Sequence, residues 1–213
     1  MNRTSGAAAI ILAGGKSTRL GRDKASELLL GRPLLQRVID RLAGLVDEYV
    51  IVCAVGQDLP EVVVPVAPSV VEDIYPETGP LGGIYTGLKA ARAPVGLAVA
   101  CDMPLLQRPL VVELLRLAPE YDVVLPVADD FPQTLCAVYA KACLEPMRRQ
   151  IEAGKYRITG FFADVRTRLL GPEEWRDLDP DGLSFQNLNR EDDLRRAAEI
   201  LRSESSRAPT AED

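Results

Sequence analysis

An unbroken run of six apolar side chains, Ala7 to Leu12, that opens straight into Gly14 and Gly15 admits few folds. A strand with one face in water alternates apolar and polar residues. A continuous run signals burial on both faces, the situation of a strand inside a parallel sheet covered by helices. The same grammar recurs along the chain. Tyr49 to Val55, Val95 to Cys101, Asp122 to Val127 and Thr134 to Tyr139 read as further strands. Pro33 to Leu45, Pro80 to Arg92, Arg108 to Leu117, Lys141 to Ala153 and Tyr156 to Phe162 read as helices, as does Glu191 to Arg202 with Asn189 as its N-cap. Strands alternating with helices predict a three-layer α/β fold whose mostly parallel sheet is flanked by helices on both sides.

No internal repeat or linker divides the 213 residues, so residues 1–202 are expected to form one domain. The Ser-, Glu- and Ala-rich residues 203–213 are expected to be a disordered tail. Asp129 to Gly182 is less regular and is expected to form a subsidiary lobe completing a substrate site. The first apolar run is too short for a secretory leader and lacks a cleavage site, and no stretch is long enough to span a bilayer. The four cysteines form no C-x-x-C pair and three sit in apolar runs, which points to buried reduced thiols. A cytoplasmic protein that does not engage a membrane is the expectation.

Histidine is absent. That removes Ser-His-Asp triads, His-ligated zinc and any His general base. A net charge of −6 and few aromatics, 5% of residues, argue against a nucleic-acid-binding role. Chemistry is left to carboxylates, cations, backbone amides or a bound metal.

Four segments carry it. Leu12-Ala13-Gly14-Gly15-Lys16-Ser17-Thr18-Arg19-Leu20-Gly21-Arg22-Asp23-Lys24 joins glycines, which bare the backbone N–H groups, to four cations that offset phosphate charge. A surface turn in an acidic protein does not call for that many cations. The spacing fits neither a Walker A loop, whose first glycine would fall at Ile10, nor a G-x-G-x-x-G fingerprint. Asp102 ends a buried strand, where ligands of open α/β sheets sit, and can hold Mg²⁺ against phosphates; capping the turn before Pro104 is its structural alternative. Glu72-Asp73 precedes Thr78-Gly79-Pro80-Leu81-Gly82-Gly83, a loop that opens a helix and lets a ligand pack closely. Phe185-Gln186-Asn187-Leu188-Asn189 offers either an Asx-turn with a helix cap or amides that read a ligand edge.

Taken in order, these segments resemble the molybdenum cofactor guanylyltransferase family from about Ala8 to Leu201. Cys101-Asp102-Met103-Pro104 is similar to its Cys-Asp-x-Pro strand end. Gly79 to Gly83 is similar to its Gly-Pro-Leu-x-Gly loop, and Phe185 to Asn189 to its Phe-x-Asn-x-Asn segment. The resemblance implies a Rossmann-like nucleotidyltransferase fold of the nucleotide-diphospho-sugar transferase type. It also implies transfer of GMP from GTP to the terminal phosphate of molybdenum-molybdopterin, with release of pyrophosphate.

Carried over by position, Leu12, Ala13, Gly14, Gly15, Lys16, Lys24 and Asp73 are expected to contact GTP. Asp102 is expected to bind nucleotide and Mg²⁺, and Asn187 and Asn189 to lie on the molybdopterin side. Asp102, Lys24 and Arg19 would carry the chemistry, with Lys16 and Arg19 steadying the pyrophosphate. Molybdopterin-handling proteins are the expected transient partners. Gly14 leans toward guanylyl members, since cytidylyl relatives usually carry Ala there. One departure stands out: the family's Asn after the second strand is missing from Val52-Cys53-Ala54-Val55-Gly56. A cytidylyl- or sugar-phosphate nucleotidyltransferase of the same fold, or a non-catalytic nucleotide-binding regulator, are the competing readings.

Overall fold

The burial expected of the first strand is what β1 (Ala7–Leu12) has in the computed structural model, which describes residues 6–14 and 23–207. A hairpin of β2 (Leu28–Leu29) and β3 (Arg32–Pro33) precedes α1 (Leu34–Leu42), β4 (Glu48–Cys53) and β5 (Ser69–Glu72). Then come α2 (Pro80–Ala90), β6 (Val95–Ala100), α3 (Arg108–Leu117), β7 (Val123–Ala128), β8 (Phe131–Pro132) and β9 (Cys136–Ala140). The chain closes with α4 (Leu144–Glu152), β10 (Thr167–Leu170), α5 (Pro172–Trp175) and α6 (Glu191–Arg207). The main sheet has the order β10-β7-β9-β6-β1-β4-β5, with β8 pairing β7. β1 runs parallel to both β4 and β6, whereas β9 is antiparallel to β6 and β7.

Two-residue periodicity builds the layers. The point is clearest at β1 and β4: Ala9 and Ile11 pack with Tyr49 and Ile51 under α1 and α3, while Ala8, Ile10, Val50 and Val52 pack under α2 and α4. Leu35, Val38, Ile39 and Leu42 supply the α1 stripe, and Leu81, Ile84 and Leu88 that of α2. Each such fully buried aliphatic side chain stabilises the fold by roughly 1.5–3 kcal/mol relative to exposure. At Gly87 helix α2 comes so close to the sheet that a Cβ would sit 2.2 Å from Ile10 Cγ2. That close approach offsets the cost of roughly 1 kcal/mol that a glycine imposes inside a helix. A third, smaller core of Leu29, Leu34, Leu105, Leu188, Ala197 and Leu201 seats α6.

The structure departs from the sequence reading in several places. Asp129 to Gly182 forms no separate lobe, because β10 joins the main sheet beside β7 and Leu170 and Trp175 enter the first core. Tyr156 to Phe162, expected as helix, contributes to a 3₁₀ segment, Ile158–Asp164. The final helix continues to Arg207, five residues into the stretch expected to be disordered; the rest of that stretch lies outside the described residues. All four cysteines are buried and free. Among the described residues no helix is long and apolar enough to cross a membrane.

Candidate active site

After β1 the chain builds outward to β4 and β5, then α2 carries it back to β6 on the other side of β1. This reversal opens a crevice beyond the carboxyl ends of β1 and β6, the place where open α/β sheets hold ligands. Leu12 and Ala100 are paired in register, so Gly14 and Asp102 leave the sheet side by side. A cleft of about 740 Å³ lies here. It is lined by the ends of β1 and β4 and by the segment from Asp73 to Pro80 that opens α2.

At its centre Asp102 is almost fully buried, 4% exposed. Its Oδ2 accepts a hydrogen bond from Lys24 Nζ at 2.6 Å and its Oδ1 one from Asn187 Nδ2 at 3.2 Å. Lys24 Nζ also donates to Asn189 Oδ1 at 2.5 Å. A buried carboxylate is tolerable only when paired and hydrogen-bonded, and Lys24 and Asn187 meet that demand.

Each group is held by its own local device. Lys24 sits in a turn closed by Asp23, whose Oδ1 accepts from Ala25 N and whose Oδ2 accepts from Ser26 Oγ. Asn187 and Asn189 share one side of an extended segment, while Leu188 between them is buried in the third core and donates its N–H to Asp102 O at 2.9 Å. Phe185 anchors that segment edge-to-face on Trp175, 4.9 Å between centroids, and Trp175 Nε1 donates to Val127 O. Upstream, Asp179, 1% exposed, accepts from Leu183 N and Ser184 N.

Asn189 is not the N-cap of α6. Asp193 Oδ2 accepts from both Asn189 N and Arg190 N at 2.9 Å, which leaves the Asn189 side chain for Lys24. Asp73 lines the cleft, with Oδ1 accepting from Tyr75 N and Thr86 Oγ1, a clamp between the end of β5 and α2. Leu12, Ala13 and Gly14 line the cleft as well. Gly15, Lys16 and Arg19 lie outside the described residues. The sequence reading missed Gln57, which is bonded to both Ala13 and Asp23, and Glu77, which lines the cleft. Neither stands in a recognisable motif.

Gly14 is the position where the cleft tolerates no side chain. A Cβ there would lie 2.7 Å from Ala54 N and 2.9 Å from Cys53 C, both backbone atoms that cannot swing aside. Gly14→Ala is expected to cost about 1–3 kcal/mol, as overpacking does, and to lower the melting temperature by roughly 2–4 °C for each kcal/mol. Thermal melts beside nucleotide titrations check this: the loss of stability should come with weaker nucleotide binding, because the ends of β1 and β4 must separate.

The cysteines of the cleft are not nucleophiles. Burial, and next the Asp102 carboxylate, push the Cys101 thiol far above its ordinary range; burial and Glu72 push Cys53 in the same direction. Among the described residues no group of three or more His, Cys, Asp or Glu side chains could form an all-protein metal cage. One buried carboxylate beside an open cleft instead suits a hard cation that takes most of its ligands from phosphate and water.

Comparison with known proteins agrees with this architecture. The sequence model of a family described as MobA-like NTP transferase domain matches residues 9–167. The chain is 32% identical over 196 residues to the molybdenum cofactor guanylyltransferase of Desulfosudis oleivorans, covering 91% of this chain and 95% of that one. The crystal structure of molybdopterin-guanine dinucleotide biosynthesis protein A from Archaeoglobus fulgidus superposes with a TM-score of 0.75 at 24% identity, over 92% of this chain and 99% of the other. The 2-C-methyl-D-erythritol 4-phosphate cytidylyltransferase of Thermus thermophilus superposes with a TM-score of 0.70 at 16% identity, over 92% and 98% of the two chains. At those identities the two structures speak to the fold alone.

Proposed function

The chain belongs to the MobA-like NTP transferase family, and from that premise we propose that it transfers GMP from GTP to the terminal phosphate of molybdenum-molybdopterin. It is a nucleotidyltransferase acting on small-molecule substrates, in the biosynthesis of the molybdenum cofactor. The observation that carries the reading is the meeting of Lys24, Asp102, Asn187 and Asn189 at the crevice between β1 and β6.

In the reaction an oxygen of the pterin's terminal phosphate forms a bond to the α-phosphorus of GTP. The bond from that phosphorus to the β-phosphate bridging oxygen breaks, and its electron pair leaves with pyrophosphate. The attacking phosphate is already an anion, so no general base is needed and a chain without histidine can do the work. The protein's task is alignment and neutralisation of phosphate charge. Lys24 is the described cation for that task, and Lys16 and Arg19 belong to the same basic stretch of sequence. Asp102 would hold Mg²⁺, which when bound supplies positive charge to the phosphate oxygens. Lys24, now paired with Asp102 Oδ2, would offer its ammonium to the phosphate oxygens of a bound nucleotide. Asn187 and Asn189, in reach of both charged groups, would orient the pterin phosphate. The reading carries with it a cytoplasmic enzyme supplied by molybdopterin-handling proteins.

The fate of the α-phosphate tests it. With GTP labelled at the α-phosphate, Mg²⁺ and molybdenum-loaded molybdopterin, label is expected in a guanine dinucleotide of the pterin and none in pyrophosphate. Label recovered only as free GMP or GDP would contradict transfer.

A further inference from the structure

We infer that Gln57 is a positioning residue for Lys24, acting through Asp23; the inference rests on the nucleotidyl-transfer reading above. Gln57 follows the end of β4 in a turn closed by its own N–H on Ala54 O at 3.1 Å. Its side-chain amide then joins three segments. Nε2 donates to Asp23 Oδ1 at 2.9 Å and to Ala13 O at 3.1 Å, and Oε1 accepts from Ala54 N at 2.9 Å. Ala13 and Asp23 flank the glycine-rich stretch, ten positions apart in sequence. Gly56 N, in the same turn, donates to Glu72 Oε1 and ties the turn to β5.

Both amide hydrogens of Gln57 are therefore used, one on a charged acceptor. The same Asp23 carboxylate closes the turn over Ala25 and Ser26 that presents Lys24 to Asp102. Loss of the amide releases Asp23 on the side facing β4, and the turn carrying Lys24 with it. Glutamine suits this position because it donates twice while remaining neutral. A carboxylate in its place would donate nothing and would face Asp23 and the Ala13 carbonyl, with Glu72 on the adjoining strand. Among the described residues the nearby cation is Lys24, which is engaged by Asp102 and Asn189.

The test is a double-mutant cycle in kcat/KM for GTP-dependent transfer, joined to a pH profile. Gln57→Leu should lower kcat/KM by about ten- to hundredfold in the native background, the size of effect a displaced catalytic group produces. In the Lys24→Met background it should lower it little further, because the group it positions is gone. Gln57→Glu should be most active, relative to the native protein, at the acid end of the range, where a protonated carboxyl still donates to Asp23. Its relative activity should fall as pH rises and that carboxyl ionises. Equal factors in both backgrounds, or a flat ratio across pH, overturn the role of Gln57. Absence of turnover by the native protein overturns instead the transfer reading on which it rests.

Discussion

Asp102→Asn is expected to reduce pyrophosphate release by at least about a hundredfold while leaving the protein as stable as before, or slightly more so. The two halves of this expectation come from one geometry. Asp102 is the buried carboxylate of the cleft, with Lys24 on Oδ2 and Asn187 on Oδ1. Asparagine keeps the shape and one acceptor oxygen but carries no charge to hold a divalent cation. The burial of a carboxylate, whose desolvation works against folding, disappears. Lys24 loses a partner, yet its side chain is 26% exposed and its ammonium keeps Asn189 Oδ1. An Asp102 that only capped the turn before Pro104 would behave in the opposite way, losing stability and keeping turnover. Steady-state kinetics and thermal melts on the same preparation separate the two.

Lys24→Met should cost both activity and stability. The loss in kcat/KM is expected to be about a hundred- to thousandfold, comparable to removing a group that stabilises transition-state charge. Unlike Asp102→Asn, this change strands a buried charge: the Asp102 carboxylate, its side chain 6% exposed, is left with the Asn187 amide alone among these partners. Breaking a buried pair from one side costs about 3–5 kcal/mol, and the opening of this cleft to solvent reduces that to roughly 1–3 kcal/mol. Combining Lys24→Met with Asp102→Asn should then restore stability without restoring activity. Recovery of the melting temperature in the double variant, with turnover still lost, is the signature of a charge pair kept for chemistry. A double variant less stable than Lys24→Met would show that the pair holds the fold instead.

Much of this was legible in the chain because the signals were local. The unbroken run of β1, the buried strand that leads to Asp102 and the helical stripe of α1 follow from side-chain periodicity alone. What joins them was not local. Lys24 meets Asp102 across 78 residues, and only the resemblance set the two in one site before the sheet order was known. From the sequence Asn189 reads as a cap, but α6 begins at Glu191 and Asp193, at helix position N3, accepts from Asn189 N and Arg190 N instead. Gln57 left no trace, because a turn residue acting through its side-chain amide needs no pattern around it. The β2–β3 hairpin, two residues a side with Leu30 and Gly31 both at positive φ, is too short for any periodicity. Asp129 to Gly182 looked like a lobe for want of long apolar runs, yet single anchors such as Leu170 and Trp175 bind it to the main core. The roles of Lys16 and Arg19 fall on residues outside those described.

The most direct measurement is Mg²⁺-dependent pyrophosphate release from GTP and from CTP, each with and without molybdenum-loaded molybdopterin. The account predicts release from GTP only when the pterin is present, with CTP a poor substitute even though no Asn follows β4. Release from CTP in preference to GTP, or silence with both from folded protein, would contradict it.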